Sequence, residues 1–162
     1  MPNWCNNSLT LSHEDEKMIV RAHDALARGE FFTEFLPVPE AEKDNWYFWC
    51  TTNWGTKWEA NVSGVEIDRD EPSILEASFD TAWSPPIELY KHLQTLGFTV
   101  EAKYYESGMC FAGMWYNGYD DFFDLGGLSA EQVEHTIPEE LDAEFGISDN
   151  MYQWEEENTE DS

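Results

Sequence analysis

The sequence predicts an α+β fold, two amphipathic helices against one face of an antiparallel or mixed sheet. Two segments, residues 14–28 and 86–96, carry helical periodicity and end signals. The segments around them alternate apolar and polar residues, as half-buried strands do. The resulting order is strand, helix, strands, helix, strand, strand, strand. Its simplest form is a split βαβ or ferredoxin-like sandwich.

The elements follow in chain order. Asn6–Leu11 alternates and reads as a strand. Ser12 caps the first helix, with Asp15 three residues on as a shortened capping box. Met18, Ile19, Ala22, Ala25 and Leu26 form its apolar stripe, and Gly29 ends it. Phe31, Phe32, Phe35 and Leu36 precede Pro37-Val38-Pro39, which is extended or turn-like. Residues 45–60 are rich in Trp. Val62–Ile67 reads as a strand interrupted by Gly64, and Ile74–Asp80 as a cleaner one.

Ser84-Pro85-Pro86 opens the second helix, with apolar Ile87, Leu89, Tyr90, Leu93 and Leu96 and an end at Gly97. Phe98–Tyr105 and Met109–Tyr116 read as strands. Asn117-Gly118 predicts a two-residue hairpin into Tyr119–Leu125. Ser129 caps a short helix to Thr136, and Pro138 opens another to Phe145. After Gly146 the chain reads as loose. The expected organisation is a ferredoxin-like core over 1–118, an acidic hairpin and helical extension over 119–149 packed on it, and a disordered acidic tail over 150–162.

Composition restricts function. The 162 residues hold 34 Asp plus Glu and 8 Lys plus Arg, a formal net charge of -26. With a mean hydropathy of -0.58 that leans towards disorder. Eight Trp, ten Phe and seven Tyr argue instead for a folded core. Eight bases do not make the field that binding to nucleic-acid phosphates needs, and an anionic membrane repels this chain. No apolar run reaches the ~20 residues of a spanning helix, and the N-terminus lacks the pattern of a signal peptide. Cys5, Cys50 and Cys110 are far apart and without a CxxC pair, so they read as reduced, mostly buried thiols of a cytoplasmic protein. Structural zinc ligands come in close pairs, so no metal or other cofactor is expected.

The charge is uneven. Residues 1–103 hold 18 acids and 8 bases, and residues 104–162 hold the other 16 acids and no base. Between 119 and 149 the acids are interleaved with Phe122, Phe123, Leu125, Val133, Leu141 and Phe145, a pattern that folds and so holds carboxylates in place. The candidate partner-binding residues are Asp120, Asp121, Asp124, Glu131, Glu134, Glu139, Glu140, Asp142 and Glu144. The last acids, Glu155, Glu156, Glu157, Glu160 and Asp161, read as a solubility tail. Asn53-Trp54-Gly55-Thr56-Lys57-Trp58 is not a phosphate loop, because that loop needs two glycines bracketing four residues. Trp46, Trp49, Trp54 and Trp58 read as core, with Trp54, Trp58 and Trp83 expected to be largely buried. Asp120, Asp121 and Asp124 lack calcium-loop spacing, and no catalytic triad order stands out.

Three segments resemble the YubB ferredoxin-like family: Met1-Pro2-Asn3-Trp4-Cys5-Asn6-Asn7, Trp49-Cys50-Thr51-Thr52-Asn53-Trp54-Gly55-Thr56-Lys57-Trp58 and Phe79-Asp80-Thr81-Ala82-Trp83-Ser84-Pro85-Pro86. The resemblance covers about residues 1–118. It implies the ferredoxin-like fold and an origin on plasmids or phages, and it implies no catalytic residues. With the charge, it suggests a non-catalytic anti-defence protein that imitates DNA. Such a protein would occupy the basic groove of a CRISPR or restriction nuclease complex in a bacterial host. The other reading is an adaptor that binds a protein partner through exposed Trp115, Tyr116 and Tyr119, with acidity serving solubility. Edge strands leave a homodimer open.

Overall fold

The computed structural model describes residues 3–159. Among them lie six strands and seven α-helices: β1 (Trp4–Ser12), α1 (Glu16–Ala27), α2 (Phe31–Phe35), α3 (Trp46–Asn53), β2 (Asn61–Ile67), β3 (Ile74–Ala82), α4 (Ile87–Thr95), β4 (Thr99–Glu106), β5 (Phe111–Tyr116), β6 (Tyr119–Asp124), α5 (Ala130–Thr136), α6 (Glu139–Phe145) and α7 (Ile147–Thr159). A 3-10 turn, Glu40–Asn45, leads into α3. The strands form one antiparallel sheet in the order β2-β3-β1-β4-β5-β6. No described helix is long and apolar enough to cross a membrane.

Strand alternation divides the sheet into two faces. Leu9 and Leu11 of β1 stand beside Ala77 and Leu75 of β3 and Ala102 and Val100 of β4. Against that face α1 packs Ile19, Ala22, Ala25 and Leu26, and α4 packs Leu89, Tyr90 and Leu93. Phe31, Phe32, Phe35 and Trp54 fill the space beside them, with Phe32 5.3 Å from Trp54 between ring centres. The helix cap is Asp15 and not Ser12: β1 runs through Ser12, so the cap moves three residues on, where the Asp15 carboxylate accepts from Lys17 N. Asn117 and Gly118 turn the β5–β6 hairpin with φ of 42° and 100°.

The opposite face carries a second core. Tyr105, Ala112, Met114 and Phe123 meet Leu125, Val133, Ile137, Leu141 and Ile147. Helices therefore cover both faces of the sheet, α5–α7 lying over β4–β6 only. Residues 147–159 are helical rather than loose, and Glu160 and Asp161 lie outside the described residues. Helix α7 has its own fastenings. Asp142 Oδ1 and Oδ2 accept from Ser148 N (2.7 Å) and its hydroxyl (2.6 Å). Glu155 accepts from Ala130 N at 2.8 Å, an amide that the first turn of α5 cannot satisfy itself. We expect Glu155→Ala to cost about 1 kcal/mol and to raise amide exchange in both α5 and α7. Unchanged exchange in α5 would show that this contact does not hold the pair.

The three segments that carry the family resemblance meet at one end of the sheet. Trp83 N donates to Asn3 O at 2.8 Å, and the Trp4 and Trp58 rings lie 6.2 Å apart. Thr56 Oγ1 donates to Ala82 O, Ser84 Oγ to Gly55 O, and Leu89 N to Trp54 O. The motifs thus tie α3, β1, β3 and α4 together. Trp54 is buried, but Trp58 is 40% and Trp83 45% exposed, contrary to the expectation for both. Trp83 sits in the bend after β3 at φ 70°, and Trp58 takes Lys57 Nζ over its ring at 4.2 Å. Trp46 is also exposed, at the start of α3. Lys57 makes no pair with Glu59, whose carboxylate accepts from Phe32 N, Thr33 N and Ala60 N.

Candidate functional site

The acid-only segment is a folded layer. Val133, Ile137, Leu141 and Ile147 face the sheet, and Glu131, Glu134, Glu139, Glu140 and Glu144 are exposed on the surface of α5 and α6. The ion pairs among the described residues all lie within residues 21–91. Arg21 and Arg28, for example, are both spent on Glu34. None of the carboxylates of residues 119–159 is in an ion pair among the described residues.

The nine candidate residues do not form one array. Asp120 and Asp124 lie on the α1–α4 face of β6, whereas Asp121 points the other way beside Met114. Asp124 accepts from Gly126 N. Asp142 is spent on Ser148. Glu134 accepts from the Tyr152 hydroxyl at 2.6 Å, which pushes that phenol up to about 12. The carboxylates of Asp121, Glu131, Glu139, Glu140 and Glu144 make no hydrogen bond or ion pair among the described residues. Sequence reading counted the acids, but the polar groups that occupy four of them lie 2 to 18 positions away.

Asp120 belongs to an arrangement that acid spacing does not reveal. Tyr104 on β4 reaches across Gly113 of β5 and donates to Asp120 Oδ1 on β6 at 2.6 Å. A Cβ on Gly113 would lie 2.2 Å from the Tyr104 hydroxyl oxygen, so only glycine leaves room. Burial of the ring and then the adjacent carboxylate push the Tyr104 phenol far up, so it stays a donor. The signal was a glycine inside a strand, which marks close approach. Beside it Phe111 stacks on Phe122 at 5.4 Å, and Tyr104 meets Phe111 edge-on at 6.1 Å. With Gly55, Ser84, Ile87 and Glu88 these residues line a groove of about 360 Å³.

The back of β1, β2 and β3 is uncovered and polar. Ser8, Thr10, Glu66, Glu76, Lys103 and Glu144 line a concavity of about 500 Å³ there. Glu66 and Glu76 stand directly opposite each other, a like-charge pair. Lys103 makes no ion pair among the described residues. A third, more apolar cleft of about 390 Å³ lies between α7 and the β4–β5 turn, with Tyr105, Cys110, Leu125, Met151 and Trp154 on its walls. Of the three thiols, Cys5 and Cys50 are buried, and burial pushes both up, but Cys110 is exposed. Of the aromatics named for an adaptor, Tyr116 and Tyr119 are 53% and 79% exposed, but Trp115 is buried against Tyr90. His92 is half-buried and bonded to Phe35 O.

No family model and no curated protein matches this chain. Among solved structures, the protein api92 from Yersinia pseudotuberculosis, with the family model DUF1281, is similar at 19% identity and a TM-score of 0.42. The match covers 59% of this chain and 39% of that one, so this chain spans well under half of its length.

Proposed function

We propose that this protein is a non-catalytic inhibitor whose α5–α6 surface imitates the charge of DNA and blocks a basic DNA-binding groove. The observation that carries the reading is the folding of the acid-only segment. Glu131, Glu139, Glu140 and Glu144 sit outward on helices anchored by their own core, in no ion pair among the described residues. A flexible acidic tail would lose conformational entropy on binding. A rigid layer avoids that loss and offers fixed negative charge to a groove shaped for phosphates. The reading includes a ferredoxin-like unit of β1, α1, β2, β3, α4 and β4, membership of the YubB-like family, a mobile-element origin and action in the bacterial cytoplasm. The strand order β2-β3-β1-β4 with α1 and α4 on one face supports the first of these.

The residues to vary are Glu131, Glu139, Glu140 and Glu144, because Asp120, Asp124 and Asp142 hold the fold together. In a strain carrying a CRISPR or restriction system, expression of the chain should restore plating of a targeted phage. The quadruple charge reversal to Lys should abolish that effect while circular dichroism and melting stay native. With the purified nuclease complex, the parent should displace labelled duplex, less so at high salt, where charge pairs beyond ~8 Å are screened. Equal DNA binding with and without the protein would overturn the reading.

A further inference from the structure

The geometry points to a second interaction site, on the other face of the sheet: the groove between β6 and the start of α4 receives an arginine side chain of a basic partner segment. The site stands whether or not the α5–α6 layer displaces DNA.

The groove offers the two things a guanidinium uses, a ring face and a carboxylate. Phe111 and Phe122 provide the rings, 5.4 Å apart and inclined by 34°. Phe122 is 56% exposed, so its ring is not committed to the core. Asp120 provides the carboxylate. Its Oδ1 takes the Tyr104 hydroxyl, which fixes the side chain, and its Oδ2 has no partner among the described residues. Glu88 stands at the rim, holding Lys91 through Oε1 at 3.0 Å. No Lys or Arg of the chain lines the groove.

The chain itself shows that this pairing works. Arg21 lies with Cζ 4.7 Å above the Phe35 ring while its Nε donates to Glu34 at 2.7 Å. Phe122 with Asp120 offers the same combination with no arginine of its own. With a net charge of -26, the occupant that complements the site is cationic. Arginine fits better than lysine because a flat guanidinium stacks on a ring and still donates in its plane, whereas an ammonium is a strongly hydrated point charge. The groove also borders β6, an edge strand of the sheet, beside which an extended segment can lie.

The test titrates the whole chain, by amide chemical shifts, with a capped Gly-Ser-Arg-Ser-Gly peptide and with the same peptide carrying Lys or neutral citrulline. The arginine peptide should give saturable shifts at Phe111, Gly113 and Phe122. Citrulline should bind at least tenfold more weakly, and lysine more weakly than arginine. Phe122→Ala, an exposed position, should weaken arginine binding about tenfold with unchanged melting. A variant with Glu131, Glu139, Glu140 and Glu144 all changed to Gln should bind the peptide as the parent does, which separates this site from the α5–α6 reading. Shifts confined to α5–α7, equal binding of the citrulline peptide, or no saturation would overturn the inference.

Discussion

Replacing Trp54 by Ala should lower stability by about 3–5 kcal/mol, the range for large aromatic truncations in cores. The indole is 4% exposed. It packs against Phe32 at 5.3 Å and Trp49 at 5.9 Å, and its Nε1–H donates to Leu36 O at 2.8 Å. Truncation removes those contacts and takes away the donor to the Leu36 carbonyl. For a chain of this size the midpoint should fall by roughly 10 °C or more. Trp54→Phe keeps the ring contacts and loses the hydrogen bond, so it should cost about 1–2 kcal/mol. Thermal denaturation of both variants checks the pair. An Ala variant that melts within a degree or two of the parent would refute the packing described here. Trp58, exposed beside Trp4, should tolerate the same change with a far smaller loss.

Gly113→Ala should cost about 2–3 kcal/mol, although it adds one methyl group. The new Cβ would meet Tyr104 Oη at 2.2 Å, its Cζ at 2.3 Å and Asp121 O at 2.8 Å. Asp121 O belongs to the neighbouring strand, so the Tyr104 ring must yield. Its displacement breaks the bond to Asp120 and the contact with Phe111. The origin of the cost can be isolated. In a Tyr104→Ala background, where the ring is gone, Gly113→Ala should cost under half as much, since directly contacting positions are not additive. An equal cost in both backgrounds, measured by denaturant unfolding, would place the strain in the backbone instead. Tyr104→Phe, which keeps the ring, should lose about 1 kcal/mol.

Much of the sheet was legible because its signals are local. The alternation of residues 6–11 and 74–80, the stripe of α1 and the Asn117-Gly118 turn each depend on neighbours within a few positions. The same locality hides the helix of residues 147–159. Ile147 and Met151 are sparse among Asp149, Glu155, Glu156 and Glu157, and nothing nearby shows that α5 and the back of the sheet cover them. Residue type alone predicts Trp58 and Trp83 in the core, but a bend at φ 70° and a place at the sheet end leave both rings partly in water.

The sequence by itself determined the α+β pattern, the two helices of the first face, the hairpin and the gathering of uncompensated acid into the last third of the chain. Periodicity, turn chemistry and charge can all be counted along one strand of text. Only the tertiary structure decided which carboxylates are free. Hydrogen-bond partners are chosen by distance in space, and so Asp142 closes a helix, Asp120 anchors a tyrosine from two strands away, and Glu155 caps another helix. It also decided that the acidic segment covers the second face of the sheet. The apolar residues of α5–α7 gain burial only where Ala112, Met114 and Phe123 leave an apolar surface, and that surface exists once β4, β5 and β6 have paired.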